Sequence, residues 1–177
     1  ARRMLSVCLA NTMKIFGIEM QSKEELESWY ANPDPWAYKT TEDDHTRKQK
    51  ILGMFKNHYH RALDIGCGEG FLTTDLPATH IDGIELSDLA ASRFPSNIKR
   101  VHEPHGKYDL VVTMGTIYKQ YNHKQMYDWI MSSAQKHILI AGIKDWLIPY
   151  NYGTPLAIQE FKYREYVQSV TLYEVSA

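Results

Sequence analysis

Cysteine is scarce in this chain of 177 residues, with only Cys8 and Cys67. Two thiols are too few for a disulfide framework or a four-thiolate zinc site and suit a reducing compartment, so a cytoplasmic setting is expected. An excess of either charge is also lacking. Twenty Lys+Arg face 21 Asp+Glu, for a formal net charge of −1, which provides no global field to hold a polyanion. The basic residues form only short clusters such as Arg47-Lys48-Gln49-Lys50, and no nucleic-acid partner is expected. Long apolar runs are missing as well. Arg2-Arg3 followed by Met4-Leu5-Ser6-Val7-Cys8-Leu9-Ala10 has the outline of a targeting segment, but Ser6, Asn11, Thr12 and Lys14 interrupt it. Nothing approaches the roughly 20 apolar residues that a membrane span needs. Leu5, Cys8, Leu9, Thr12, Met13 and Phe16 fall at three- and four-residue spacings, which predicts an amphipathic helix. The eight histidines contain no H-x-x-x-H or H-E-x-x-H grouping, so no metal site is expected.

What is present is 44% hydrophobic and 12% aromatic residues, enough for one globular domain over residues 1–177. Residues 1–60 read as a helical N-terminal extension. Within it, Asn32-Pro33-Asp34-Pro35-Trp36-Ala37-Tyr38 cannot continue a helix. Beyond it, Thr41 as cap, with Asp44 reaching back, predicts a helix over 41–57 with Ile51, Leu52, Met54 and Phe55 inward. From Arg61 onward short apolar runs alternate with short helical stretches, the pattern of an α/β domain with a mainly parallel sheet. Strands are expected at 61–65, 80–85, 98–101, 108–114 and 137–142, and helices at 71–76, 88–94 and 122–136. Residues 161–167 and 170–175 read as an antiparallel C-terminal hairpin turning near Gln168-Ser169.

The first strand runs into Gly66-Cys67-Gly68-Glu69-Gly70 and then a helical stretch. Glycines there permit a tight turn and let backbone N–H groups approach a ligand. A dinucleotide fingerprint would space its glycines as G-x-G-x-x-G. Here they stand at 66, 68 and 70, directly after the acid Asp64. Asp64-Ile65-Gly66-Cys67-Gly68-Glu69-Gly70, with Glu85 ending the second strand and Tyr108-Asp109-Leu110-Val111-Val112 as the fourth, resembles the class I S-adenosylmethionine-dependent methyltransferases over roughly residues 60–142. The resemblance implies a Rossmann-like sheet and an in-line methyl transfer from S-adenosylmethionine, with S-adenosylhomocysteine as product. It implies that Gly66, Cys67 and Gly68 pass close to the methionine portion and that Asp64 holds its amino group or the loop itself. Glu85, followed by Leu86, would accept the ribose hydroxyls. The segment His102-Glu103-Pro104-His105 would contact the adenine through Glu103 or His105, and Thr113-Met114-Gly115-Thr116 would border the sulfonium.

Asn32-Pro33-Asp34-Pro35-Trp36-Ala37-Tyr38 ahead of a charged helix is similar to the entry of the nodulation-protein-S-like branch, whose members N-methylate an amino sugar. The resemblance implies a small-molecule or sugar acceptor, N- or O-methylated. Trp36 and Tyr38 either cover the cofactor as part of a lid or anchor the N-terminal helices to the sheet. For a proton-accepting group the candidates are His45 and Tyr118, followed by Tyr121, His123 and Asp145; a base matters only where the acceptor has a proton to lose. Cys67 reads as a packed thiol rather than a nucleophile. The Asn/Asp-Pro-Pro-aromatic signature of many nucleic-acid amino-methylating enzymes is absent at 113–116. A catalytically silent cofactor-binding domain is the competing expectation, because only His102 to Lys107 separate the third and fourth strands and the aromatic stretch 145–155 replaces a last crossover helix.

Overall fold

The computed structural model describes residues 13–15 and 18–176. The expected helix on Leu5, Cys8, Leu9 and Thr12 lies outside the described residues, but its continuation through Met13 is corrected. β1 (Met13–Ile15) pairs antiparallel with β2 (Ile18–Met20), placing Lys14 opposite Glu19. Apolar residues alternating with Lys14 and Glu19 have a period of two, which a strand satisfies.

α1 (Lys23–Tyr30) starts at a capping box: the Ser22 hydroxyl accepts from Glu25 N–H, and the Glu25 carboxylate accepts from Ser22 N–H. α2 (Glu42–Leu52) ends five residues earlier than expected, at Gly53. Its expected cap does not form. The Thr41 hydroxyl donates to the Ala37 carbonyl at 2.7 Å, and the Asp44 carboxylate turns to tertiary partners.

The main sheet contains β3 (Tyr59–Ile65), β4 (Ala78–Ile84), β5 (Ile98–Val101), β6 (Tyr108–Met114), β7 (Ala134–Ile143), β8 (Thr154–Tyr163) and β9 (Tyr166–Glu174). Its order is β5-β4-β3-β6-β7-β9-β8. The first five strands of that order are parallel, β9 is antiparallel to β7, and β8 is antiparallel to β9. This is the expected α/β, mostly parallel, Rossmann-like sheet with an antiparallel C-terminal hairpin. β6, buried on both faces, carries the apolar run Leu110-Val111-Val112 at its centre. One core layer gathers Ile51, Leu110, Val112 and Leu139, and another gathers Leu63, Val111, Ile130 and Ile138. At the far end of the sheet Asp109 accepts from His60 N–H, Arg61 N–H and Gln135, tying β3, β6 and β7 together.

The hairpin turns at Arg164-Glu165, not at Gln168-Ser169. Tyr163 faces Tyr166, Arg164 takes a positive φ of 53°, and Gln168 is fully buried inside β9. A polar Gln-Ser pair resembles a turn in sequence, but burial on the sheet decided otherwise. The helical stretch at 71–76 reduces to a single 3-10 turn at Thr73–Asp75, α3 (Asp88–Ala91) is four residues long, and α4 (His123–Ser133) gives way directly to β7. No helix joins β5 to β6, and only the 3-10 turn Lys144–Trp146 lies between β7 and β8.

Candidate active site

β3 delivers Asp64 and the glycine loop to the C-terminal edge of the sheet, where open α/β sheets bind ligands. Gly66, Gly68 and Gly70 all have positive φ, at 75°, 57° and 85°. A Cβ on Gly66 would lie 2.3 Å from the Thr116 methyl, and one on Gly68 would lie 3.0 Å from the Tyr30 hydroxyl. The turn therefore needs glycine twice over, for its backbone conformation and for space. Gly66 and Cys67 N–H both donate to the Ile84 carbonyl at the end of β4, at 2.8 and 3.1 Å, fixing the loop beside Glu85.

Asp64 is 2% exposed. Its Oδ2 accepts from Thr73 at 2.7 Å, while Oδ1 is buried without a partner. Burial raises its carboxyl to about 7, against the pull of the Thr73 hydroxyl and with a further push from Glu85. Glu85 is also pushed up by burial, opposed by the N–H groups it accepts. Those bonds, from Ser87 N–H at 2.8 Å and Gly68 N–H at 2.9 Å, use one oxygen each and leave each oxygen a lone pair. Burial pushes the Cys67 thiol up, and a Cβ on Gly83 would lie 2.8 Å from its sulfur. It is a packed neutral thiol, not an activated nucleophile.

A cavity of about 550 Å³ opens above these groups. The N-terminal elements form one wall. Tyr30 sits over Gly68, and its hydroxyl accepts from Trp36 Nε1 at 3.3 Å. Trp36 stacks on Trp29 with centroids 5.2 Å apart. The Pro33-Asp34-Pro35 turn is fastened twice. The Asp34 carboxylate accepts from Tyr38 and Lys39 N–H, and Asp34 N–H reaches both oxygens of Glu69 at 3.1 Å. Trp36 and Tyr38 thus both line the cavity and are anchored to the core.

Of the residues singled out in the sequence, Asp64, Gly66, Cys67, Gly68, Glu85, Leu86, Met114, Gly115, Tyr118 and Tyr121 lie together on this cavity with Trp36 and Tyr38. Others do not. His45 bonds the Lys39 carbonyl at 2.8 Å and meets Phe71 edge-on. Glu103 and His105 are exposed outside the lining, where His102 stands instead. Thr113 is fully buried behind Met114, and alternation along β6 puts only one of the pair on the cavity. His123 pairs with Tyr150 at 2.8 Å and Asp145 is exposed. The Tyr118 hydroxyl accepts from Ile143 N–H at 2.7 Å, and burial raises it well above the usual phenol range. Sequence reasoning missed Tyr30, Arg47 and Arg164 on the cavity, and it named the segment 102–105 but gave the contact to Glu103 or His105 instead of His102. Arg47 pairs with Asp44 at i,i+3 spacing, a pattern that does not tell a buried arginine from a solvated one.

Among the described residues, no group of three His, Cys, Asp or Glu could hold a metal ion, and no helix is long and apolar enough to cross a membrane.

No protein-family model matches this chain. By structure it is similar to the N-methyltransferase NodS from Bradyrhizobium japonicum WM9 in complex with S-adenosyl-L-homocysteine. The TM-score is 0.73 at 16% identity, over 88% of this chain and 98% of that one. It is also similar to magnesium protoporphyrin IX methyltransferase from Synechocystis PCC 6803 with bound S-adenosylmethionine, with a TM-score of 0.65 at 14% identity over 89% and 98%. By sequence it is 27% identical over 136 residues to a tRNA1(Val) (adenine(37)-N6)-methyltransferase from Yersinia pseudotuberculosis serotype O:3 (strain YPIII), covering 56% of this chain and 54% of the relative. The chain therefore spans about half the length of the curated relatives it matches.

Proposed function

Because the chain has the class I S-adenosylmethionine-dependent methyltransferase fold, we propose that it binds S-adenosylmethionine in this cavity and methylates a small-molecule or sugar acceptor, an amino sugar included, on nitrogen or oxygen. The observation that carries the reading is the unpartnered, buried Oδ1 of Asp64 at the floor of a glycine cradle. An acceptor of hydrogen bonds buried without a donor is costly, and the ammonium of the cofactor's methionine end supplies that donor. Glu85 has the lone pairs for two ribose hydroxyls, and the glycine turn admits what any Cβ would exclude. These acceptors and the glycine turn fit the cofactor.

When bound, S-adenosylmethionine supplies an electrophilic methyl on a sulfonium leaving group, so the transfer is an in-line displacement. The chain's own work is then alignment and exclusion of water, worth about 7–11 kcal/mol when reacting groups are well placed. Tyr30, Trp36 and Tyr38 act as the lid. Met114, Gly115 and Tyr118 border the reacting end, Tyr118 as a neutral, rigidly held hydroxyl. His45, outside the lining, is assigned no proton transfer. Residues 21–58 belong to the same domain as the sheet in this reading, fastened by Asp34–Glu69 and by Glu27, which accepts from Ser87 and Leu89. Two cysteines in 177 residues support a cytoplasmic setting.

Calorimetry with S-adenosylhomocysteine tests the cofactor assignment. Micromolar-range binding is expected in the native chain, lost in Glu85→Ala and in Gly68→Val; unchanged binding in both variants would overturn it. The similarity to tRNA methyltransferases favours a second reading, an RNA acceptor. Near-neutral charge and Thr113-Met114-Gly115-Thr116 at the strand end weigh for the small acceptor. Methyl transfer to tRNA, with none to amines or sugars in a parallel screen, would reverse that preference.

A further inference from the structure

One wall of the cavity holds charge that the proposed cofactor contacts do not use. Asp44 is fully buried on α2, behind the cavity wall. Arg47 Nη2 lies 2.7 Å from its Oδ1, Arg164 Nη2 lies 2.6 Å from its Oδ2, and the Tyr163 hydroxyl donates to Oδ1 at 2.7 Å. Both arginines line the cavity and Asp44 does not. Two guanidinium groups thus share one carboxylate, which among the described residues leaves one positive charge in excess at the wall. Arg47 is 4% exposed, and the Nε of each arginine is buried without a hydrogen-bond partner.

Among the described residues, the other acids nearby are engaged elsewhere or stand off the cavity. Glu69 is held by Arg93 at 2.7 Å and by Asp34 N–H. Asp43, at the surface, accepts from Arg164 backbone N–H. Neither Asp43 nor Glu165 lines the cavity. A buried charge lacking its counter-ion is costly, and an anion entering the cavity removes the cost. The walls there are flat. The Arg47 guanidinium lies 4.9 Å from the Tyr38 ring centroid and 4.4 Å from that of Tyr163, and Trp146 and Tyr166 line the same cavity with their rings 5.1 Å apart. Tyr118 lines the same cavity of about 550 Å³ as Arg47 and Arg164.

We propose that the acceptor is a flat carboxylic acid bearing an amine or hydroxyl, whose carboxylate is received by Arg47 and Arg164 while its nucleophilic atom lies beside Tyr118. A single excess charge matches a carboxylate rather than a phosphate dianion, and the planar fork of an arginine suits two carboxylate oxygens. This assignment rests on the methyltransferase reading above and narrows its acceptor.

The test uses the full chain, with and without saturating S-adenosylhomocysteine, titrated with benzoate, the three aminobenzoates and hydroxybenzoates, and the methyl esters of each. Acids are expected to bind and their esters to bind on the order of tenfold more weakly or not at all. Arg164→Gln, at the hairpin turn, leaves Asp44 paired one to one with Arg47. It is expected to remove the acid-over-ester preference while S-adenosylhomocysteine binding is retained, and Arg164→Lys should restore part of the preference. A purely structural role for Arg164 would weaken acids, esters and S-adenosylhomocysteine together. Equal binding of acids and esters, silence of every carboxylate, or Arg164-dependent binding of inorganic phosphate or tRNA in their place would overturn the proposal. Failure of S-adenosylhomocysteine itself to bind the native chain would overturn the methyltransferase reading, and this acceptor with it.

Discussion

Asp64 and Asp109 both sit at ends of central strands, and their surroundings drive them in opposite directions. At Asp109 burial works against ionisation, but donors from Gln135, Arg61 N–H, Lys136 and His60 N–H hold the carboxyl at about 2. At Asp64 burial prevails and the carboxyl rises to about 7. A group whose folded pKa is raised gives stability below its unfolded value, lost as pH climbs through the folded one. The empty cradle is therefore less stable above about pH 7, and it is then that Asp64 carries the charge an ammonium needs. Affinity for S-adenosylhomocysteine is expected to rise between about pH 6 and about pH 8, and Asp64→Asn should flatten that slope as well as weaken binding. Calorimetry at three pH values checks it; an unaltered slope in the variant would count against Asp64.

Gly66 offers a second residue-level check. Alanine there meets both a φ of 75° and the Thr116 methyl at 2.3 Å. Gly66→Ala should cost about 1–3 kcal/mol from the backbone alone, plus the clash. Thr116→Ser in the same chain removes that methyl, so denaturant melts should show partial recovery. The residues around the loop were readable because only glycines and acids do this work. Arg47 was not. Beside Lys48 and Lys50 it reads as a solvated cluster, and only the distant Arg164 and Tyr163 reveal that it is buried.

Among the elements, two stretches fit the capping-box pattern, Ser22 to Glu25 and Thr41 to Asp44, and only the first is used. A glutamate is long enough to reach back to the cap N–H, whereas Asp44 is claimed by two arginines and a tyrosine. Since α1 carries Tyr30 over Gly68, Ser22→Ala should lower stability by about 1 kcal/mol and weaken S-adenosylhomocysteine binding as well. Thermal melts and calorimetry read both; a loss of stability with binding untouched would separate α1 from the lid. The parallel strands were legible from their Val, Ile and Leu runs. The hairpin turn was not, because Gln168 is polar yet buried, and the β1–β2 pair was hidden by a spacing that fits helix and strand alike.

At the scale of the whole molecule, one aromatic-walled cavity stands over the glycine loop. That cavity draws on residues from Gln21 to Tyr166, so no contiguous segment contains it. Asp44 meets Arg164 across 120 residues, so α2 and the β8–β9 hairpin are expected to open and close as one unit. Hydrogen exchange should show their amides protected to similar free energies; α2 exchanging far faster than β9 would contradict the coupling. In a chain synthesised from its N-terminus at about 5–20 residues per second, Asp44 emerges roughly 6–24 s before Arg164 exists to meet it. For that interval Asp44 has only Arg47 of its own helix to meet, and the glycine loop at 66–70 is synthesised before the residue that closes the cavity wall exists.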